Sequence, residues 1–502
     1  MASILVAGDT SGSVTLSAPL VAGSTVLTLP SVSGTVTTNT TLAGADANIH
    51  GLNVGQGAGN TGGQTTVVGE GALSSSNSGS ENIAIGYHSL LANTSGSQNT
   101  SVGSQTLQSN TTGSSNVGIG QGALRSNTTA SANTAVGYQA ALSNTTAANN
   151  VAIGWTALYS NLTGINNCAV GTQALYANTG ASNTGIGTLA LTANTSGANN
   201  TALGQQALAA NTTASNNTAV GYQAGYSNTT AANNTTIGFQ SLFTNTTGAA
   251  NNAYGVYALY SNTTGSNNTA IGSGQAGIAT GALGSNTTGY NNTALGNYAL
   301  TANISGYQNT AVGYQAGLAT TTGNNNVSIG NVTGANITTG GGNCFIGGNN
   351  SASSASVNYE TVIGFAGTGK GTTTFFVCTN GGGSYQSNNS AAWSITSDQR
   401  LKKNIVDNNT GLSAINAIQV RNFEYRTAEE VTELEAHSAI DIKGVQLGAI
   451  AQELQLILPE CVKTESTGVM SVDATNLTWY LINAVKELSA KVTALESKLG
   501  AV

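Results

Sequence analysis

Charge is what this sequence lacks most. Only 6% of its 502 residues are Asp, Glu, Lys or Arg, against roughly a quarter in ordinary soluble domains, so an ordinary globular enzyme is not expected. The deficit is uneven. Residues 1–394 hold five acids (Asp9, Asp46, Glu70, Glu81, Glu360) and two bases (Arg125, Lys370), leaving 24 of the 31 charges to the last 108 residues. With so little Lys and Arg upstream and a net charge of −7, there is no basic surface to neutralise phosphates, and nucleic acid is not an expected partner. Cys168, Cys344, Cys378 and Cys461 are scattered without CxxC spacing, which indicates neither zinc nor a disulfide framework; they are expected as buried thiols. His50, His88 and His437 have no ligand spacing, so no metal site and no cofactor are expected. No apolar run approaches the roughly 20 residues of a membrane span. The opening "MASILVAGDTSGSVTL" lacks a basic segment followed by a long apolar one, so synthesis in the cytoplasm without signal-peptide export or membrane insertion is expected. Glycan cleavage needs two carboxylates about 5 to 9.5 Å apart, and upstream only Glu70 and Glu81 are near neighbours, which argues against a depolymerase.

What the sequence has is a repeat. "NNTAVGYQA" followed by "NTTG" recurs, and its central glycine falls at Gly69, Gly86, Gly103, Gly120, Gly137, Gly154 and Gly171, a spacing of 17. The spacing slips to 16 at Gly187, resumes through Gly272, jumps 24 to Gly296 and continues to Gly364. A fixed period over eighteen units indicates a solenoid. One residue is lost around "YANTGASN", and seven are inserted within "GSGQAGIATGALGSN", where a loop should bulge from one face. Runs such as "TAVG" are long enough only for single-coil strands, and helical periodicity is absent.

Within each unit the residue before the glycine is apolar (Val68, Ile85, Val102, Ile119, Val136, Ile153), and Leu recurs four after it (Leu73, Leu90, Leu107, Leu124, Leu158, Leu175). Both positions are expected to face inward, into an interior kept narrow by neighbouring Ala, Ser and Gly. Asn recurs four before the glycine from Asn82 to Asn343, and again seven after it at Asn93, Asn110, Asn127, Asn144 and Asn161. Stacked coils align these amides into ladders that also hold the turns, since Asn tolerates the left-handed region. The NTT and NTS triplets are read as turn chemistry, not as glycosylation sites. A column one residue past the glycine (Tyr87, Tyr138, Trp155, Tyr222, Phe239, Tyr314) alternates with polar residues and is expected outside or between chains. So thin a coil buries too little apolar area to offset the entropy of ordering it, so neighbouring chains are expected to supply a wall. Eighteen rungs about 4.8 Å apart make a rod of roughly 85 Å. The repeat resembles the "NxxAIG" β-roll heads of trimeric adhesins and the shafts of bacteriophage tail fibres. The opening "SGSVTLSAPLVAGSTVLTLPSVSGTV" looks like the β-rich attachment segment of such fibres, which implies that the N-terminus binds other virion tail proteins.

The chain changes character at "SDQRLKKNI", where Asp398, Arg400, Lys402 and Lys403 arrive within six positions. Taken alone, the stretch also fits a helix start, with Ser397 as the cap and Asp398 in the first turn. With "GAIAQELQLILPECV" (448–462) and the ending "LINAVKELSAKVTALESKL" it resembles the C-terminal intramolecular chaperone domain of phage tailspikes and fibres, the S74 peptidase family. The resemblance implies that the chain cuts itself between Thr396 and Ser397 with Ser397 and Lys402 as a dyad. Asp398, Arg400, Leu401, Asn404, Gln452 and Glu453 lie in the motifs that support it. Ser/Lys pairs are a known variant of the catalytic triad, the lysine acting as base where burial favours its neutral form. Leu481, Val485, Leu488, Val492, Leu495 and Leu499 alternate at four and three, the spacing of a short coiled coil. Val and Leu in those positions favour two strands, whereas the resemblance implies three.

The sequence is thus read as mostly β: a trimeric β-solenoid of 17-residue repeats followed by a small α+β domain ending in a coiled-coil helix. Its expected divisions are an attachment segment at 1–45, a shaft at 46–364, an aromatic-rich distal tip at 365–396 and the chaperone at 397–502. Registering three repetitive chains is hard, because a 17-residue slip still satisfies most contacts; a trimerising C-terminal domain fixes the register and then leaves. The expected function is a virion tail fibre binding a host-surface receptor, a glycan or a protein. Phe375, Phe376, Tyr385 and Trp393 are the candidate contacts, and closing the solenoid's end is their alternative role. A trimeric adhesin with a permanent C-terminal trimerisation domain is the alternative.

Overall fold

A computed structural model describes residues 63–275, 281–380, 398–427, 429–433, 442–465 and 468–500, with Thr61 and the strands Ser3–Ala7, Ser13–Ser17, Ala47–Ile49, Leu52–Gly55, Gly382–Gln386 and Ser394–Ile395. The chain divides into two compact units, Met1–Thr396 and Ser397–Val502.

The first unit is the solenoid. Eighteen short strands, from Thr66–Val68 to Thr361–Phe365, stack in parallel with one strand per coil. The register is that of the repeat: Thr134, Ala135 and Val136 lie beside Val151, Ala152 and Ile153. The short unit pairs Cys168 with Thr184, and the long one pairs Thr269 with Thr293, so both irregularities are absorbed outside the sheet. Leu52–Gly55 joins the first rung antiparallel, and at the far end Phe375–Thr379, Gly382–Gln386 and Ser394–Ile395 turn the sheet from parallel to antiparallel.

The inward face differs from the sequence reading in one column. Strand side chains alternate, and the inward residue is the middle one: Ala84, Ala135, Ala152 and Ala169 are all fully buried. Its neighbour before the glycine therefore points out, and Ile85, Ile119 and Ile153 are 36%, 40% and 39% exposed. Leu four after the glycine is buried as expected, carried inward by the turn and facing a wall made mostly of alanine; where Gly334 replaces Leu, the larger Phe345 takes the wall position. The turn demands unusual backbone. Leu107, Leu124 and Leu158 sit at φ of 49°, 51° and 53°, and at this position Gly225, Gly317 and Gly334 replace Leu at φ of 60° or 61°. The central glycine is obligatory by contact: a Cβ on Gly137, at φ +137°, would lie 2.4 Å from the Gly154 carbonyl oxygen.

The Asn columns form the expected ladders. The Asn116 backbone N–H donates to Asn99 Oδ1 (3.0 Å) and its Nδ2 to the Ala130 carbonyl (2.9 Å). In the second column Asn127 Nδ2 donates to Asn110 Oδ1 (2.8 Å) and to the Ala130 carbonyl (3.0 Å). These side chains are 0% exposed, which takes the ladder's NTT triplets, such as that at Asn127, out of reach of any glycosylating enzyme. Beside the ladders, the left-handed region is taken not by the ladder asparagines but by the residue before the first column, such as Ala132, Asn149 and Asn166. The second ladder has two flaws with visible causes. At the 16-residue unit Asn178 turns to the Gly180 carbonyl and leaves Asn161 Oδ1 unpartnered; after Asn303 the next coil offers Thr320, and Asn303 Oδ1 is unpartnered too.

Outside, aromatic rings stack from coil to coil: Tyr138 on Trp155, Tyr222 on Phe239, and Tyr226 on Phe243 on Tyr260, the last three with centroids 5.2 and 5.3 Å apart. The column after the glycine is outward, as expected, with Tyr87 45% and Trp155 50% exposed. Cys378 and Cys461 are buried, but Cys168 and Cys344 occupy the half-exposed first strand position, which corrects the expectation for those two. Burial pushes all four thiols upward from their ordinary value.

The second unit mixes short helices and strands. Helix α1 (Leu412–Ala417) precedes a pair of antiparallel strands, Arg421–Phe423 and Gln446–Gly448. Helix α2 (Ala451–Gln455) precedes a second pair, Val462–Thr464 and Met470–Val472, and helix α3 (Ala474–Leu499) closes the unit. Asp473 starts α3 by accepting from the N–H groups of Thr475 and Asn476 (3.0 and 3.1 Å), as an N-cap should. The core is small: Leu454, Leu458, Cys461 and Tyr480, with Ile415, Ile418, Val472 and Leu477 against it. Among the described residues no helix is long and apolar enough to cross a membrane, and no group of three His, Cys, Asp or Glu is placed to hold a metal ion.

Candidate functional site

The residues that give "SDQRLKKNI" its character build a single turn. Gln399–Leu401 is a 3-10 helix, and Asp398 caps it, its Oδ1 accepting the Arg400 backbone N–H at 2.8 Å. The capping role suggested for Ser397 thus falls to Asp398. The Asp398 carboxylate also binds the Arg400 guanidinium through Nε and Nη2, and this pairing holds its carboxyl below the ordinary value. Thr396 and Ser397, the expected cleavage pair, lie outside the described residues. Lys402 follows the turn and is exposed, and Asn404 adopts a φ of 55°. Leu401, Ile405 and Val406 around it are 75%, 63% and 85% exposed.

The rest of the motif set sits elsewhere in the unit. Glu453 on α2 forms a two-point ion pair with Arg421 (3.0 and 3.2 Å), fastening that helix to the first strand pair; Gln452 beside it is exposed. Downstream of Lys402 the chain is fastened to α3. Asn408 Nδ2 donates to Tyr480 Oη (3.2 Å), and Asn483 Nδ2 donates to the carbonyls of Asn408 (2.7 Å) and Thr410 (3.2 Å). The Leu412 N–H donates to Glu487 Oε2 at 3.1 Å, and Tyr480 Oη donates in turn to Glu460. That bond holds the Glu460 carboxyl below, and the Tyr480 phenol above, their ordinary values. These fastenings escaped the sequence reading because Asn408 and Asn483 are 75 positions apart and asparagine is common throughout the chain.

The candidate receptor contacts divide. Phe376 is 1% exposed within a core cluster of Ile337, Phe345, Val357 and Val362, and Tyr385 packs against that cluster. Phe376 therefore closes the end of the solenoid and is not a surface contact, a correction due to the alternation of its strand. Phe375, one residue earlier, is half-buried, and Trp393 lies outside the described residues. Beside this cluster the first Asn ladder ends in a carboxylate. The Glu360 N–H donates to Asn343 Oδ1 (2.8 Å), and its buried side chain accepts from the N–H groups of Ser353 (2.9 Å) and Gly371 (2.7 Å), folding the last loop over the end.

No curated protein and no solved structure matches the chain. Residues 397–463 match the family model described as Chaperone of endosialidase, Peptidase S74. That match begins at Ser397, the first residue of the second compact unit, so the similarity to the S74 chaperone family lies in the C-terminal part of the chain.

Proposed function

We propose that the chain is a homotrimeric tail fibre of a tailed bacteriophage, carried on the virion, attaching it to the host surface, and assembled by a C-terminal chaperone that then cuts itself off between Thr396 and Ser397. The observation that carries this reading is the coincidence at Ser397: the S74 match and the second compact unit both begin there. The solenoid's last paired strand ends two residues earlier, at Ile395, so a cut at this bond leaves little unpaired chain on the shaft.

Trimerisation is supported by apolar surface that one chain leaves open. On α3, Leu481, Val485, Leu488, Val492, Leu495 and Leu499 are 44% to 76% exposed along one face. On the solenoid, nine members of the outward column from Ile85 through Ile346 are 36% to 45% exposed, with partly exposed residues such as Val102 and Val136 between them. Covering a half-exposed Ile is worth roughly 1 kcal/mol, so the column together with the α3 seam supplies an amount comparable to an association cost of about 4–15 kcal/mol. The column repeats with the coil, and the surface that matches its period is another copy of the same shaft. The stacked aromatics among uncharged amides give the shaft further faces suited to a glycan or protein receptor.

In the proposed cleavage the Lys402 amine takes the Ser397 hydroxyl proton. Oγ attacks the Thr396 carbonyl carbon, the bond to the Ser397 nitrogen breaks, and that nitrogen takes the proton back. The resulting ester is hydrolysed by water, freeing the Thr396 carboxylate and restoring the hydroxyl. A lysine serves as base where water is excluded; Lys402 and the apolar residues around it are exposed in one chain, so neighbouring chains supply that exclusion. Intact-mass analysis of the wild type, Ser397→Ala and Lys402→Ala tests the scheme. The expected result is a fragment beginning at Ser397 from the wild type alone; a wild type that stays whole refutes it.

A further inference from the structure

We infer that the Asn408 fastening to α3 is a positioning device for self-cleavage, linking assembly of the terminal helix to placement of the segment that carries Lys402. The inference rests on the cleavage reading above. From Lys402 to Thr410 the chain has no regular structure and is exposed throughout. At the near end the Lys402 N–H closes the 3-10 turn on the Gln399 carbonyl (3.0 Å); at the far end Asn408, Thr410 and Leu412 are held by Tyr480, Asn483 and Glu487.

Tyr480, Asn483 and Glu487 are spaced three and four apart, so they lie on one face of α3. At about 100° per residue, the centre of this face lies about 130° around the helix from that of the face bearing Leu481, Val485 and Leu488. One rigid helix therefore presents the open apolar seam on one side and grips the Lys402 segment on the other. Any rotation or shift of α3 as the seam is covered moves Asn408 with it.

The grip is close and specific. A Cβ on Gly411 would lie 2.4 Å from Glu487 Oε1 and 2.8 Å from the Ala484 nitrogen, so the segment passes directly over the helix backbone. Tyr480, 6% exposed, ties the segment and the helix to Glu460, and Asn476 donates to the Glu460 carbonyl (3.0 Å). The Lys402 segment is thereby joined to the unit's core cluster, of which Tyr480 is a member. The bonds from Asn483 go to backbone carbonyls, which set where the chain runs without depending on which side chains it carries.

The test is pulse-labelled synthesis of the full chain, following the cut fraction over time and the oligomeric mass by light scattering. Asn408→Ala and Asn483→Ala are expected to trimerise as the wild type does and to cut at least tenfold more slowly. Asn483→Gln, which keeps the donor on a half-buried position, is expected to restore most of the rate. A merely structural role lowers trimer yield and cutting together and is not relieved by Gln. Should an alanine variant fail to assemble, Tyr480→Phe, which keeps the ring and removes the hydroxyl, decides in its place: slower cutting by an intact trimer supports the device. Alanine variants, or Tyr480→Phe, that form trimers and keep pace with the wild type overturn the inference and leave the cleavage reading standing. A wild type that never cuts overturns both.

Discussion

Removing one asparagine from the second ladder gives a cost that depends on its neighbours, not on its own burial. Asn262 Nδ2 donates to Asn245 Oδ1 (2.8 Å) and the Gly265 carbonyl (2.9 Å), and its Oδ1 accepts from Asn286 (2.7 Å). Asn262→Ala therefore strips partners from both sides: the Asn245 oxygen, the Gly265 carbonyl and one Asn286 N–H each lose a buried bond. Asn303 is equally buried, but its Oδ1 is already unpartnered, so Asn303→Ala leaves only the Asn286 oxygen and the Gly306 carbonyl short of a bond. Each buried group left unpaired costs about 1–3 kcal/mol, so the Asn262 variant should be the less stable by about one such increment, roughly 2 kcal/mol. Hydrogen exchange with peptide resolution reads this locally, which suits a stack whose coils contact mainly their neighbours. At about 1.4 kcal/mol per tenfold, amides around Asn262→Ala should exchange some 10- to 100-fold faster than those around Asn303→Ala, each relative to the wild type. Equal effects at the two sites would refute the ladder argument.

Further predictions concern the glycine stack, the terminal helix and acid. Gly137→Ala places a Cβ against the Gly154 carbonyl at a backbone angle unfavourable to any side chain, and should open the stack there by several-fold faster exchange on both adjoining coils. Leu488→Glu, in the middle of the exposed α3 seam, should give chains that stay monomeric and uncut by light scattering and mass. The Asp473 carboxyl is held below its ordinary value first by its bond to Lys463 (2.9 Å), then by the N–H of Asn476. A carboxyl lowered on folding stabilises the folded state fully above its unfolded value near 4 and loses that contribution as pH falls below it. Helical circular dichroism, arising among the described residues from the second unit, should therefore show an acid-induced loss of stability that Asp473→Asn flattens. Asp473→Ala should cost about 1 kcal/mol at neutral pH through loss of the cap.

The repeat was legible because a solenoid writes its period into the chain, and the Asn columns could be placed as ladders before any coordinate was known. The orientation of the strand was not. Ile85 and Ala84 are neighbours on opposite faces, and apolarity alone favours isoleucine as the buried one; the constraint comes from Leu90, which fills the interior and leaves alanine as the residue that fits. Phe376 was left between two roles, an aromatic in a Gly- and Ser-rich segment being as good a plug as a contact, and burial in the end cluster decides for the plug. A change at Ser397 was visible in charge and motif, because 24 of the 31 charges fall after residue 394 and the repeat has stopped. The fastening of Asn408 to α3 was invisible, because it joins residues distant in sequence that carry no periodic signal.

The central claim is that residues 397–502 are a temporary assembly factor and the solenoid is the lasting product. Light scattering on the purified product, with intact mass of the same sample, tests it most directly. The account predicts three copies of the chain ending at Thr396, remaining associated after the C-terminal unit has been separated. A single-copy shaft, or an uncut chain that stays monomeric, would contradict it.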